Sequence, residues 1–159
     1  MKNSDFNLSY FLPYRLAVLS ERVSKRLSSE YSEQFGLTIP EWRVMAHLSR
    51  SEKVSVREIH INANLEKPRV SRAVAKLEKA GLVTKSVNEG DHRLIEVSLT
   101  PEGWKVLNRF LPNALELETS LLATFAPQEV DQFYDMIERL HAVLDEDPKA
   151  APRPNMDKV

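Results

Sequence analysis

The sequence contains no cysteine. Disulfides, thiolate metal centres and cysteine nucleophiles are therefore excluded. Glycine is scarce, with 4 residues in 159. There is no Gly-rich phosphate loop and no G-x-S-x-G nucleophile elbow. No run approaches the roughly 18 consecutive apolar residues of a membrane-spanning helix, so no membrane partner is expected. The opening MKNSDFNLSYFL lacks the charged-then-apolar pattern and small-residue cleavage site of a signal peptide, and the expected compartment is the cytoplasm. The four histidines, His47, His60, His92 and His141, show no i, i+4 pair. No metal site, cofactor or catalytic constellation is expected, and an enzyme has no residues to stand on.

What is present is a segregated charge. The net charge is −1, but it is unevenly spread. Lys53 to Arg93 holds nine Lys/Arg against five Asp/Glu. Leu111 to Asp147 holds nine acidic residues and one basic one, Arg139. A basic middle of this kind suits a polyanion; two solvated faces of opposite sign are the alternative.

Hydrophobic periodicity orders the chain. Leu12, Leu16, Leu19, Val23 and Leu27 recur at steps of three and four, predicting a helix from about Ser9 to Phe35 that Gly36 stops. Thr38 and Glu41 have capping-box spacing, with Pro40 in the first turn, and open a second helix ending near Ser49. Ser55 and Glu58 open a third, ending near Asn62. Asn62-Ala63-Asn64 reads as a turn. A fourth helix follows from about Glu66 to Ala80, with Val70, Ala73, Val74 and Leu77 on its buried side. After Gly81 the period changes to two. Leu82–Val87 and Leu94–Leu99 read as a hairpin around a tight Asn88–Asp91 turn, which must pack on the helices to be stable. Thr100-Pro101 starts a fifth helix to about Phe125, and Ala126-Pro127 a sixth. The Pro- and Ala-rich tail carries no pattern and reads as disordered.

The predicted fold is mainly α with a small antiparallel β-hairpin. Helix, turn, helix and hairpin in that order make a winged helix-turn-helix at 37–100. It is flanked by an N-terminal helix (1–36), C-terminal helices (101–146) and the tail (147–159). The fourth helix then takes the place of a recognition helix. Arg69 and Arg72 lie one turn apart at its N-terminus, where the helix dipole disfavours cations unless an anion sits opposite. Arginine pairs bidentately with guanine, and Ser71 can donate to a base or phosphate. At the hairpin tip Arg93 is the cation, with Asp91 placed to orient it.

These residues carry a resemblance. LTIPEWRVMAHL, KPRVSRAVAKLEKAGLV and NEGDHRLIEVSLTPEG together resemble the MarR family of transcriptional regulators over nearly the whole chain except the tail. The resemblance implies a homodimer with interlocked terminal helices that binds a pseudo-palindromic operator in double-stranded DNA. It implies DNA contacts at Pro68, Arg69, Ser71, Arg72 and Lys76, and at the wing from Arg93 with Asp91 and His92. Family members often have a small or polar residue where Pro68 stands; a proline could still contact a thymine methyl. The resemblance further implies a repressor relieved by a small effector between the dimer helices and the winged domain. Candidate contacts are Tyr10, Tyr14, Arg15, Trp42, Met45 and His47, an aromatic wall with a cation that suits an aromatic carboxylate or its CoA thioester. The competing function is a winged-helix protein-interaction adaptor without operator binding.

Overall fold

Local signals set most of the helix boundaries. The computed structural model describes residues 6–154. A 3-10 turn (Leu8–Tyr10) precedes helix α1 (Leu12–Phe35) and α2 (Ile39–Leu48). Strand β1 (Val54–Ser55), α3 (Val56–Asn62) and α4 (Lys67–Lys79) follow. Strands β2 (Val83–Val87) and β3 (Ile95–Leu99), then α5 (Pro101–Leu122) and α6 (Pro127–Asp145), complete the order. Gly36 and Gly81 close α1 and α4 with φ of 64° and 72°, a region that only glycine enters freely. At α2, Glu41 accepts a hydrogen bond from the Thr38 backbone N–H at 2.9 Å. At α3, Ser55 and Glu58 cap each other reciprocally.

Five features differ from the sequence reading, the first being that α5 ends at Leu122 and not near Phe125. α1 begins at Leu12, not Ser9. A start at Ser9 would put Pro13 inside the helix, where its ring meets the carbonyl four residues back; from Leu12 it sits in the permissive first turn. The sheet has three strands in the order β1-β3-β2, all antiparallel. β1 is two residues long and leaves no alternation to read. The loop from 88 to 94 is longer than a tight turn, closed by Asn88 N–H donating to the Leu94 carbonyl at 2.9 Å. Finally, residues 147–154, expected to be without order, turn back on α6. Arg153 makes two 2.8 Å hydrogen bonds to the Glu138 carboxylate, which hold that carboxyl below its ordinary pKa. Residues 155–159 lie outside the described residues.

The core sits in the central unit. Val44, Met45 and Leu48 of α2, Ile59 of α3, and Val70, Val74 and Leu77 of α4 are buried, as are Val97 of β3 and Leu107 and Phe110 of α5. Each such side chain gains about 1.5–3 kcal/mol from leaving water. The sheet is joined to α5 through Gly103. A Cβ there would stand 2.0 Å from the Leu82 carbonyl oxygen. Thr100 completes the joint: its hydroxyl donates to the Gly81 carbonyl at 2.6 Å and accepts from Gly103 N–H at 3.0 Å. The wing therefore rises from a fixed base.

Outside this unit the helices are thinly covered. Leu12, Leu16 and Leu19 of α1 are exposed in the single chain. So are Phe133, Tyr134, Met136, Leu140, Val143 and Leu144 of α6, which has no buried residue.

Candidate nucleic-acid interface

Helix α4 is held by one row and offers the others. Val70, Ala73, Val74 and Leu77 face the core, while Pro68, Arg69, Ser71, Arg72 and Lys76 are exposed. At 100° per residue, Pro68 and Arg72 point away from the buried row. Arg69 and Lys76 lie on the flank towards α2, and Ser71 on the flank towards the wing. The preceding turn is pinned: the His60 ring meets the Leu65 carbonyl at 2.8 Å and Arg43 donates to the Asn64 carbonyl at 3.3 Å. A helix set this firmly can present its polar face in one orientation, as a groove-reading helix must.

The wing carries the second cation. Asn88 Oδ1 accepts from the N–H groups of Gly90 and Asp91, both at 2.8 Å, and shapes the tip. Asp91 Oδ1 accepts from Arg93 N–H and Nε at 3.1 Å each, and Oδ2 accepts from a terminal guanidinium nitrogen at 3.3 Å. These bonds, the side-chain ones first, hold the Asp91 carboxyl below its usual pKa. The fork leaves the Arg93 side chain 91% exposed yet oriented. His92 is exposed beside it.

Between α4 and the wing runs a groove of about 790 Å³. Val56, Val74, Leu94 and Ile95 give it an apolar lining, and Arg57, His60, Lys67, Lys85 and Arg93 a basic one. Arg57, Lys67 and Lys85 were not singled out from the sequence, although each belongs to the basic segment; only the fold shows that they share one face. On the other flank Thr38, Pro40, Glu41, Arg69, Arg72 and Lys76 line a smaller concavity.

Lys76 has a different setting from Arg69 and Arg72. Its Nζ lies 3.0 Å from Oε1 of Glu41, whose side chain is 5% exposed. Glu41 spans 35 residues of sequence to reach it, and the capping-box pattern disclosed only its local half.

The six candidate effector contacts are not brought into one cavity within the chain. Tyr10, Tyr14 and Arg15 lie exposed at the start of the chain's described part. Met45 is fully buried in the core. His47 faces Arg50, Lys53 and Glu58 instead, and burial, then Arg50, lowers its pKa against a smaller opposing effect of Glu58. Trp42 packs on Phe110 at 4.2 Å and on Tyr31 at 5.7 Å between ring centroids, at the junction of α1, α2 and α5. Tyr31, also in contact with Phe110 at 5.1 Å, completes this cluster; burial raises its phenol to about 12. Among the described residues no cluster of His, Asp and Glu could hold a metal ion, and no helix is long and apolar enough to cross a membrane.

Comparisons with known proteins agree with this fold. The MarR family model matches residues 35–94. An uncharacterised HTH-type transcriptional regulator of Bacillus subtilis, YwoH, is 32% identical over 72% of this chain and 82% of its own length. The MarR family transcriptional regulator SPO1453 of Silicibacter pomeroyi is 30% identical, with a TM-score of 0.76 over 88% of this chain and 99% of that one. At 21% identity the fold also matches Sco3205, a MarR family regulator of Streptomyces coelicolor solved in complex with DNA (TM-score 0.78; 93% and 95% covered). The same holds for the PcaV regulator of that organism, solved with its natural ligand (TM-score 0.70; 87% and 97% covered, 21% identical). With its winged helix-turn-helix and exposed α4, the chain belongs to the MarR family of DNA-binding transcriptional regulators.

Proposed function

We propose that the protein is a cytoplasmic homodimeric repressor that binds a pseudo-palindromic operator and is released by a small aromatic ligand. The observation that carries the DNA reading is the pairing of an exposed Arg69/Arg72 face on a core-locked helix with a wing arginine preset by Asp91. Pro68, Arg69, Ser71 and Arg72 enter the major groove, with Pro68 available to a thymine methyl, and Arg93 with His92 follows the backbone or minor groove. The exposed apolar residues of α1 and α6 support the dimer: a patch of this extent is a cost in water unless a second copy covers it. Two recognition helices would then read half-sites about one helical turn apart.

The ligand reading rests on the aromatic junction around Trp42 and on the ligand-bound PcaV structure. On this reading Tyr10, Tyr14 and Arg15 join Trp42 only once a second copy is in place, and an aromatic carboxylate or its CoA thioester fits an aromatic wall with one cation.

Fluorescence anisotropy with the DNA upstream of the protein's own gene tests the proposal. Arg69→Ala with Arg72→Ala removes two contacts worth about 1–3 kcal/mol each. Operator affinity should fall by at least tenfold while sedimentation still reports a dimer. Unchanged operator affinity in that variant would refute the contacts assigned to Arg69 and Arg72, and a wild type that binds this DNA no better than a random duplex would favour an adaptor that uses the winged domain for protein contacts.

A further inference from the structure

Lys76 sits on the recognition helix in a basic stretch and invites assignment as a phosphate contact. Its surroundings argue otherwise. The Glu41 carboxylate is almost entirely out of water, and a buried carboxylate needs hydrogen bonds and a counter-charge. One oxygen takes the Thr38 N–H at 2.9 Å. The other takes Lys76 Nζ at 3.0 Å. Arg69 and Arg72 line the same concavity, but the ion pair that Glu41 makes is with Lys76. The Lys76 side chain is itself 67% exposed, but drawing its ammonium away from Glu41 onto a phosphate would strip the buried carboxylate of its cation.

We infer that Glu41 is a specificity-determining positioning residue, which holds Lys76 off the DNA backbone and so suppresses sequence-independent binding. This rests on the operator-binding reading above. The reason lies in how the two kinds of contact act. A lysine on phosphate strengthens binding to every sequence alike, whereas base contacts separate operator from random DNA. A carboxylate that retains one lysine per protomer lowers the non-specific background and leaves base readout to Arg69, Arg72 and their neighbours. The same carboxylate ties the start of α2, where the chain leaves α1, to the recognition helix, so the lysine is held at a fixed place.

The test measures affinity against salt for operator and for random duplex in four proteins: wild type, Glu41→Gln, Lys76→Gln and the double variant. Glutamine at 41 keeps an acceptor for Thr38 N–H, and glutamine at 76 keeps a donor for Glu41, so neither change empties the site. Each phosphate contact contributes about 0.9 to the slope of log affinity against log salt. In Glu41→Gln the freed lysines, one per protomer, should steepen the random-DNA slope by about 1.8. Over a fourfold span of salt that is a roughly 12-fold larger change in affinity. The ratio of operator to random affinity should drop. Lys76→Gln should leave the operator slope unchanged, and the double variant should return to the wild-type slope. A Lys76→Gln slope shallower by about 1.8 would show that the lysine already contacts phosphate, and would overturn the inference. A double variant that keeps the steep slope would overturn it too, because removal of the carboxylate charge would then suffice. If wild type fails to prefer any operator, the operator reading has failed, which is separate from these slope differences.

Discussion

Replacing Gly103 with alanine tests how the wing is fixed. The added Cβ would lie 2.0 Å from the Leu82 carbonyl oxygen, 3.0 Å from its carbon and 3.2 Å from Leu99 Cδ2. Ordinary contact starts at 3.4 Å, so α5 and the start of β2 must part by about 1.4 Å, the difference between those distances. The nearest obstacle is backbone and cannot rotate aside. Parting also stretches two joints, Thr100 N–H to the Leu82 carbonyl at 3.0 Å and the Thr100 hydroxyl to the Gly81 carbonyl at 2.6 Å. Overpacking costs about 1–3 kcal/mol, and each weakened hydrogen bond about 1 kcal/mol. A loss of roughly 3–5 kcal/mol should lower Tm by about 6–20 °C for a chain of this length. Calorimetry and urea melts read this, with Gly90→Ala as control, since a Cβ there meets only Asn88 Oδ1 at 3.3 Å. A Gly103→Ala protein that melts within about 1 °C of wild type, on that scale of roughly 2–4 °C per kcal/mol, would refute the close-approach argument.

Three further outcomes follow from the geometry. Asp91→Asn should loosen Arg93 and raise the operator dissociation rate, measured by stopped-flow. Because the Asp91 pKa is depressed, its bond to Arg93 is intact above the ordinary carboxylate range and is lost only as pH falls through the lower folded value, so wild-type dissociation should show no change linked to Asp91 from pH 5 to 8. The His47 pKa is lowered from 6.5 in the fold, so the unfolded chain takes up a proton more readily. Stability should therefore fall as pH drops from about 6.5 towards the folded value, and His47→Gln should flatten that part of a Tm–pH profile. Leu140→Asp with Leu144→Asp places charges on the uncovered face of α6; sedimentation velocity should then report a monomer, and a dimer of unchanged mass would place the interface elsewhere.

Much of the fold was legible because its signals are local. Thr38, Ser55 and Thr100 mark helix starts, and Gly36 and Gly81 mark ends, through contacts within three or four residues. The buried row of α4 followed from its period, and with it the exposed arginines; the Asp91–Arg93 pair followed from adjacency in a loop. β1 escaped because two residues carry no alternation. The length of the wing loop escaped because its closure, Asn88 to Leu94, depends on the register of two strands. The effector contacts were chosen by residue type, and type does not say which face of a helix a core will claim: Met45 went inside and His47 went to α3.

The sequence by itself determined the helices, the exposed basic face of α4 and the family, because caps, periods and short motifs act over a few bonds. Only the tertiary structure decided that Gly103 bears on Leu82, and that Arg57, Lys67 and Lys85 share a groove with Arg93. It also decided that Lys76 belongs to a buried carboxylate on another helix. Those outcomes turn on which surfaces meet, and a buried charge takes its partner from whatever packing brings within about 3 Å.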